Sequence, residues 1–320
     1  MSYTPPYTIS SKILNLTNKI SEHITELKYN SNYNITPMLR KKNRIKTLAG
    51  TLEIEGNFLG EEKITAIIDG KKVLGTIPEI AEVKGAIKAY QELENYKYDN
   101  ISDLLKAHKI LMGEILNNAG SFCTSNVRVG EHIAPQSHFV PQLMNELFEW
   151  LKSSDEHLLL KSCIFHYEFE FIHPFVDGNG RIGRLWQSVI LYKFNPLFAL
   201  LPTESIVRDY QEKYYKALEN STALGESTPF IEFMLDMILQ TIIKFENEVG
   251  NKVGSRVGNL TENQMMILEL MKTNPKISAK KLSDEVKISV RKIEENISKL
   301  KKLDLIERVG GTRGYWELKE

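Results

Sequence analysis

Residues 173–184, HPFVDGNGRIGR, place one histidine, one acid, three glycines, one asparagine and two arginines in a single short stretch. Glycine allows a backbone to come close to a ligand, and arginine binds carboxylates and phosphates through its planar guanidinium group. The composition therefore predicts a site that holds an anion next to a side chain able to accept a proton.

The spacing of these residues suggests how the anion is held. Gly178 and Gly180 open a turn that predicts the start of a helix, whose free N–H groups and dipole favour a negative charge. Arg181 and Arg184 are three residues apart and share one helix face. A chain of phosphates fits this arrangement, with backbone N–H groups binding one phosphate and guanidinium groups binding the next.

The acid and the histidine of the stretch complete a reaction centre. Asp177 would repel a phosphate unless a divalent cation lies between them, and Mg²⁺ bridging a carboxylate and phosphate oxygens is the common solution. His173, next to Pro174, is placed to take a proton. Together these groups describe transfer from a nucleotide polyphosphate to a hydroxyl group.

The glycines also satisfy the dinucleotide-binding fingerprint GxGxxG, which needs a strand before it and a βαβ unit around it. The preceding segment CIFHYEFEFI is aromatic enough to be a strand. However, the rest of the chain offers few strands for a parallel sheet, and arginines occupy the predicted helix start. The chain also contains no GxxxxGK[ST] phosphate loop. Both of these nucleotide-binding folds are therefore disfavoured.

The stretch resembles the signature of Fic-domain proteins at all nine fixed positions, and the resemblance extends over roughly residues 45 to 245. The usual activity of this family is to move AMP from ATP onto a Ser, Thr or Tyr hydroxyl of a protein. The resemblance implies a mostly α-helical Fic core with a small β-hairpin flap, which uses ATP as substrate and Mg²⁺ as cofactor.

The resemblance also implies a role for each residue of the stretch. His173 would deprotonate the target hydroxyl, Asp177 would hold Mg²⁺, and Phe175 would be buried beneath the loop. The remaining family positions would bind the nucleotide: Gly178, Asn179 and Gly180 would line the anion hole, and Arg181 and Arg184 would hold the outer phosphates.

A second motif lies upstream, in residues 51–57, TLEIEGN. It resembles the pattern [S/T]-x-x-x-E-[G/N] of autoinhibited Fic proteins, with Thr51 and Glu55 at the defining positions. The resemblance implies that Glu55 pairs with Arg184 in the seat of the γ-phosphate, so that ATP binds bent away from in-line attack. Glu53 is the alternative acid, but it lies on a different helix face.

Two further segments are expected near the site. Residues 126–135, NVRVGEHIAP, resemble the flap that pins a target segment by strand addition. Residues 208–220 contain several tyrosines in a region that neighbours the nucleotide in the family, and we expect Tyr210 to touch the adenine or the ribose. Packing at the rim of the core is the alternative role for these tyrosines.

The whole-chain composition is that of an ordinary globular protein. Of its 320 residues, 42% are hydrophobic. Lys+Arg and Asp+Glu number 41 each, so the net charge does not indicate a particular class of partner. The N-terminus has no signal-peptide pattern and the chain has no apolar stretch of about 18 residues, which predicts a cytoplasmic protein without a membrane span. Cys123 and Cys163 are expected to be packing residues in a reducing compartment.

The pattern along the chain predicts four parts. Asp69-Gly70 gives a hairpin signal within the otherwise helical first half. The predicted parts are a helical N-terminal segment (1–43), a Fic core (44–246) that begins with an inhibitory helix (44–57), a glycine-containing linker (247–259) and a winged helix-turn-helix domain (260–320) that ends in a hairpin around Gly310-Gly311.

The sequence of the C-terminal part does not decide whether its partner is a protein or DNA. Residues 259–320 contain 13 basic and 10 acidic residues, and the third predicted helix has Arg291, Lys292 and Lys299 but also Glu294 and Glu295. Glutamates on this helix disfavour DNA, because phosphate contacts dominate DNA affinity. Docking of a protein target is favoured, and DNA contact through this helix and the wing, with Arg308 and Arg313, is the alternative.

Two other functions stay open beside AMP transfer. One is a DNA-binding regulator whose Fic core senses a nucleotide. The other is removal of AMP from a modified protein, in which Glu55 would position a water molecule. Members of the family often dimerise and some modify themselves, so a homodimer and self-modification are compatible with the sequence, which determines neither.

Overall fold

The structure, a computed structural model, describes residues 3–29, 36–126, 128–129, 132–258, 261–302, 305–310 and 314–318. The chain divides into two compact units, and the boundary between them falls between Glu246 and Asn247. The first unit is helical with one small hairpin, and the second has the winged-helix order that the sequence predicts. None of the helices in the described part of the chain is both long and apolar enough to cross a membrane.

The first unit contains eleven α-helices among its described residues, and the last of these helices continues past Glu246. They are α1 (Ser11–Tyr29), α2 (Pro37–Ile54), α3 (Gly60–Ile68), α4 (Ile77–Gln91), α5 (Ile101–Met112), α6 (Val140–Ser153), α7 (Leu158–Ile172), α8 (Asn179–Phe194), α9 (Thr203–Asp209), α10 (Gln211–Leu224) and α11 (Thr228–Gly258). Two short strands, β1 (Arg128–Val129) and β2 (His132–Ile133), pair antiparallel where the flap is predicted.

Helices α7 and α8 form the centre of the first unit and flank the HPFVDGNGRIGR loop. The segment CIFHYEFEFI lies in α7, so its reading as a strand before a dinucleotide fingerprint is wrong. The helix is apolar around nearly its whole circumference because other helices surround it. A buried helix of this kind lacks the polar face that normally identifies a helix in a sequence. Phe165, Phe169 and Trp186 are fully buried between the two helices and their neighbours.

Helix α2 begins earlier than the predicted inhibitory helix and ends where the motif predicts. Its N-cap, Thr36, accepts a hydrogen bond from the Leu39 N–H, and Pro37 occupies the first turn. At the other end Gly56 has a φ of 89°, and the Asn57 N–H donates to the Leu52 carbonyl at 3.0 Å. This is the glycine-terminated C-cap that requires a left-handed residue.

Helix α2 lies directly against α9 because Gly50 has no side chain. A Cβ atom on Gly50 would lie 2.7 Å from the backbone of Glu204 and Ser205. The Ser205 hydroxyl donates to the Lys46 carbonyl at 3.0 Å, and the Gln211 amide donates to the Ile54 carbonyl at 2.9 Å. The position of the helix that ends next to Glu55 is therefore fixed along its length.

One local expectation from the sequence is wrong. Asp69-Gly70 is not a hairpin turn but the end of α3, where Gly70 has a φ of 74° and the Lys71 N–H donates back to the Ala66 carbonyl. A glycine with a positive φ can end a helix or form a hairpin turn, so the short apolar runs around Asp69-Gly70 did not distinguish the two. The glycines at 250 and 254 do not interrupt α11, which runs to Gly258; each costs a helix only about 1 kcal/mol.

The second unit contains α12 (Glu262–Thr273), α13 (Ala279–Val286), α14 (Val290–Lys302) and the antiparallel strands β3 (Ile306–Val309) and β4 (Tyr315–Leu318). Gly311 and Arg313 of the predicted wing lie outside the described residues. An apolar core joins the helices to the hairpin; its buried members are Ile267, Met271, Ile277, Leu282, Val286, Ile293, Ile297, Leu300, Leu305 and Ile306.

Candidate active site

The loop between α7 and α8 begins with a strained residue. His173 caps α7 in the left-handed region, with φ 51° and ψ 60°, while its N–H still donates to the Phe169 carbonyl. A non-glycine residue in this region is uncommon and costs energy, and such residues cluster at functional sites. The chain turns sharply here, and His173 lines the cleft beside α7.

Phe175 anchors the loop from below. Its ring is fully buried and stacks on His108 with centroids 3.7 Å apart. The Asn179 amide closes the loop over it, because Nδ2 donates to the Phe175 carbonyl at 2.8 Å and Oδ1 accepts from the Phe175 N–H at 2.9 Å. The Asn179 side chain is therefore used within the loop, which leaves its backbone N–H for a ligand.

His108, on α5, is a site residue that sequence reasoning missed. Its Nδ1 accepts from the Gly120 N–H at 2.8 Å, so its Nε2 donates to the Asp177 carbonyl at 3.0 Å. Burial lowers the pKa of this histidine, which keeps it neutral in this arrangement. Nothing local in the sequence marks His108, since it acts on the loop only through the tertiary fold.

Asp177 lies at the more open edge of the loop. Its Oδ1 accepts from the Gly178 N–H at 2.6 Å and from Arg181 Nη2 at 3.0 Å, and about half of its side chain is exposed. A carboxylate that is open to solvent beside an anion site suits Mg²⁺, which takes one or two protein carboxylates and fills its other positions with water and phosphate oxygens. The residues present therefore fit a magnesium ion.

Arg184 lies almost fully buried on α8 and contacts α2. Its Nε donates to the Thr51 hydroxyl at 3.0 Å, and its Nη2 donates to the Thr51 carbonyl at 3.1 Å and to Glu55 Oε1 at 2.7 Å. Burial alone would lower the pKa of this guanidinium, but the nearby acidic groups, Glu55 first, raise it overall. The expected Glu55–Arg184 contact is thus present, with Thr51 as a further partner.

Gly180 allows this contact. A Cβ atom at Gly180 would collide with Glu55 Oε1 and lie 3.1 Å from Arg184 Nη1. Any other residue here would push the carboxylate away from the start of α8. Glu53, the alternative acid of the motif, pairs instead with Arg208 at 2.8 Å, so the helix face separates the two glutamates as the sequence predicts.

A cleft of about 870 Å³ extends from this point along α7 and α10. Its lining combines charged or ionisable residues with aromatic and aliphatic ones. The former are Glu55, Glu170, His173, Arg184 and Glu219, and the latter include Tyr167, Phe171, Tyr214, Tyr215, Leu218 and Ala223. Tyr210, the tyrosine favoured from the sequence, is not in the cleft lining and instead lies at the junction of α9 and α10, with Lys213 over its ring.

A buried polar network adjoins the cleft around His166. His166 Nδ1 contacts Gln187 Oε1 at 2.9 Å and its Nε2 contacts the Tyr214 hydroxyl at 3.1 Å. Burial would raise the pKa of the adjacent Glu170, but His166, His173 and Arg184 together lower it. Glu170 is therefore ionised and adds negative charge on the α7 side of the cleft.

Comparison with known proteins shows which family has this arrangement. The profile of the Fic/DOC family matches residues 98–191, and a profile described as winged helix-turn-helix DNA-binding matches residues 260–307. The crystal structure of a Fic family protein from Desulfovibrio desulfuricans G20 is 37% identical, covers 99% of this chain and 98% of its own, and aligns with a TM-score of 0.75. The chain belongs to the Fic family.

Two insect members of the family, each named protein adenylyltransferase Fic, also match. The protein from Aedes aegypti is 29% identical over 214 residues, and that from Drosophila melanogaster is 31% identical over 199 residues. These matches cover 63% and 59% of this chain but 42% and 39% of the insect proteins. The chain thus spans about two fifths of the length of these curated relatives.

The His108 contacts predict how stability depends on pH. Because the folded-state pKa of His108 is lowered, the unfolded chain, with a histidine pKa of about 6.5, binds this proton more tightly. The contribution is complete above about pH 6.5, and it is lost as the pH falls from there towards the folded-state pKa. Thermal unfolding at about pH 7.5 and about pH 5.5 measures the loss.

His108→Gln is the matched variant, because an amide can accept from Gly120 and donate to the Asp177 carbonyl but does not titrate. We expect its melting temperature to change less between the two pH values than that of the unaltered chain. Equal pH dependence in both proteins would contradict the neutral, buried role of His108.

Proposed function

We propose that this Fic protein transfers AMP from ATP to a hydroxyl side chain of a protein. The observation that carries the proposal is that His173, Asp177, Arg181 and Arg184 all lie in or next to the loop at the N-terminus of α8, where His173 and Arg184 line a cleft that also has aromatic walls. The names of the insect relatives support the same activity.

The cleft has the volume and the chemistry to take a nucleotide. The aromatic and aliphatic side chains of the cleft would contact the base, and the N–H groups at the start of α8 would donate to the phosphates, whose charge Arg181 and Arg184 would neutralise. Asp177 would hold Mg²⁺, and the bound ion would neutralise phosphate charge. Tyr214 and Tyr215, rather than Tyr210, are the tyrosines placed to contact the base or ribose.

His173 acts on the target hydroxyl. Its imidazole takes the hydroxyl proton, the oxygen forms a bond to the α-phosphorus of ATP, and the bond to pyrophosphate breaks. Such transfer depends on in-line positioning and charge neutralisation more than on covalent help from the enzyme. The flap of β1 and β2 would present the target segment through main-chain pairing, which tolerates different target sequences.

Glu55 restrains the reaction. Arg184 can bind either Glu55 or the outermost phosphate, because both need the same guanidinium edge. Thr51 holds Arg184 from the same helix through its hydroxyl and its carbonyl, so the guanidinium is already turned towards α2. ATP that binds while this contact persists would lack its outer anchor and would not reach in-line geometry.

Replacing Glu55 with glycine is expected to raise AMP transfer by about tenfold or more, since Arg184 is then free for phosphate. The intact mass of the purified chain after incubation with ATP and Mg²⁺, together with label transfer from ATP to lysate proteins, measures the change. Glu53→Gly is the matched control, because it makes the same change in the same helix but removes the Arg208 pair.

A matched rate in the unaltered chain and in Glu55→Gly contradicts the restraint. Complete loss of activity in Glu55→Gly, assayed on a protein that already carries AMP, would instead favour removal of AMP, with Glu55 positioning water. That reading has structural support, because about a quarter of the Glu55 side chain remains exposed.

His173→Ala, made in the Glu55→Gly chain, is expected to lower the transfer rate by about a hundred- to ten-thousand-fold, as loss of a general base does. ATP affinity should change little, because the phosphates are held by α8 and its arginines. Calorimetric titration with ATP in parallel with the mass assay separates the two effects. A large loss of ATP affinity would contradict the role given to His173.

We infer that the second unit binds a protein rather than DNA. Its third helix, α14, exposes Lys292 and Arg291, but Arg291 pairs with Glu295 at 3.3 Å and Glu294 lies beside them. Because phosphate contacts dominate affinity for DNA, a mixed-charge face binds it weakly. We expect no affinity for duplex DNA beyond a weak, salt-sensitive interaction.

Fluorescence polarisation with labelled duplexes at two salt concentrations tests this expectation. Tight binding that is lost in Arg291→Ala/Lys292→Ala would overturn it and favour a DNA-binding regulator with a nucleotide-sensing Fic core.

A further inference from the structure

Arg181 is held very differently from Arg184. Only 4% of its side chain is exposed, its Nη1 contacts Glu82 Oε1 at 2.9 Å, and its Nη2 contacts Asp177 Oδ1 at 3.0 Å. Its Nε is buried and has no hydrogen-bond partner within the part of the chain that the structure describes. Two carboxylates therefore hold one guanidinium group through its two terminal nitrogens.

Glu82, on α4, is itself held in place. While its Oε1 accepts from Arg181, its Oε2 accepts from Asn57 Nδ2 at 2.8 Å. Asn57 is 3% exposed and its Nδ2 also donates to the Glu79 carbonyl at 3.0 Å. Glu82 is thus the middle of a chain of contacts that runs from the residue after the TLEIEG turn to the phosphate side of α8.

A purely structural pair between α4 and α8 is the simpler explanation, but the energetics do not favour it. Burying an arginine and a carboxylate costs desolvation that their attraction often fails to repay, so apolar residues would join two helices more cheaply. Arg181 also already has an acid partner four residues away, in Asp177. The second carboxylate has a clearer use in deciding where the guanidinium lies.

We propose that Glu82 is a positioning residue for the nucleotide phosphates: it holds Nη1 of Arg181 so that Asp177 binds only Nη2, and Asn57 keeps Glu82 in the orientation that does so. Without Glu82, Asp177 would be the remaining acid beside Arg181 and would take both guanidinium nitrogens. The phosphates would then lose an arginine, and the carboxylate available to Mg²⁺ would be neutralised. This inference rests on the proposed function only for the location of the phosphates at the start of α8.

Calorimetric titration of the full chain with ADP tests the proposal without requiring any transfer reaction. The parent protein has Glu55→Gly, so that Arg184 is free in every sample. We expect Glu82→Gln to weaken ADP binding about tenfold, and the gain in affinity on adding Mg²⁺ to shrink. The matched control is Glu79→Gln, which removes the same charge from the same helix one turn earlier without touching Arg181.

Substitution of Asn57 provides a second test, because ADP affinity would not depend on Asn57 if the Glu82–Arg181 pair were only structural. Asn57→Ala should weaken ADP binding in the same direction but less than Glu82→Gln does. The double variant should bind no more weakly than Glu82→Gln alone, because Asn57 acts through Glu82. Full additivity of the two losses would contradict that order of action.

Unchanged or tighter ADP binding in Glu82→Gln overturns the proposal, since Glu82 would then be inert or would restrain Arg181. If Glu82→Gln fails to fold, Glu82→Asp keeps the charge but shortens the reach, and a loss of affinity is again expected. Failure of the parent protein to bind ADP at all would overturn the nucleotide site itself, whereas equal binding by parent and variant overturns only the role of Glu82.

Discussion

The buried guanidinium group of Arg184 is the constraint on which the site depends. A charge taken out of water needs an anionic partner, and this one lies where the helix dipole of α8 and the arginine itself both favour an anion. In the structure Glu55 supplies that anion and Thr51 turns the guanidinium towards it. The same requirement would be met by a phosphate, which is why we propose that the protein's own carboxylate and a nucleotide compete for one position.

The surrounding helices make this competition possible. Gly180 leaves room for the Glu55 carboxylate against the first turn of α8, and Gly50 lets α2 lie directly on α9. The contacts of α9 and α10 with the end of α2 hold the glutamate within reach of Arg184. In the proposed restraint, release would therefore require movement or substitution at the end of α2.

The loop itself is rigid for separate reasons. Phe175 is buried under it, the Asn179 amide closes it, and neutral His108 supports the Asp177 carbonyl from α5. These contacts offset the left-handed conformation of His173 and keep its imidazole in the cleft. Glu82 contacts Arg181 as Glu55 contacts Arg184, so each arginine of the motif has a carboxylate partner on another segment that positions its guanidinium group.

The sequence by itself determined the local chemistry: the glycine-led helix start, the histidine and acid around it, the family, and the helical and winged-helix classes of the two units. It determined these because they depend on residue types at short spacings. Tertiary packing alone decided that His108 and Glu82 reach the loop, that Tyr214 and Tyr215 rather than Tyr210 line the cleft, and that Asp69-Gly70 ends a helix. Those outcomes depend on which distant segments meet, and glycine turns or tyrosines at helical spacing look the same in either arrangement.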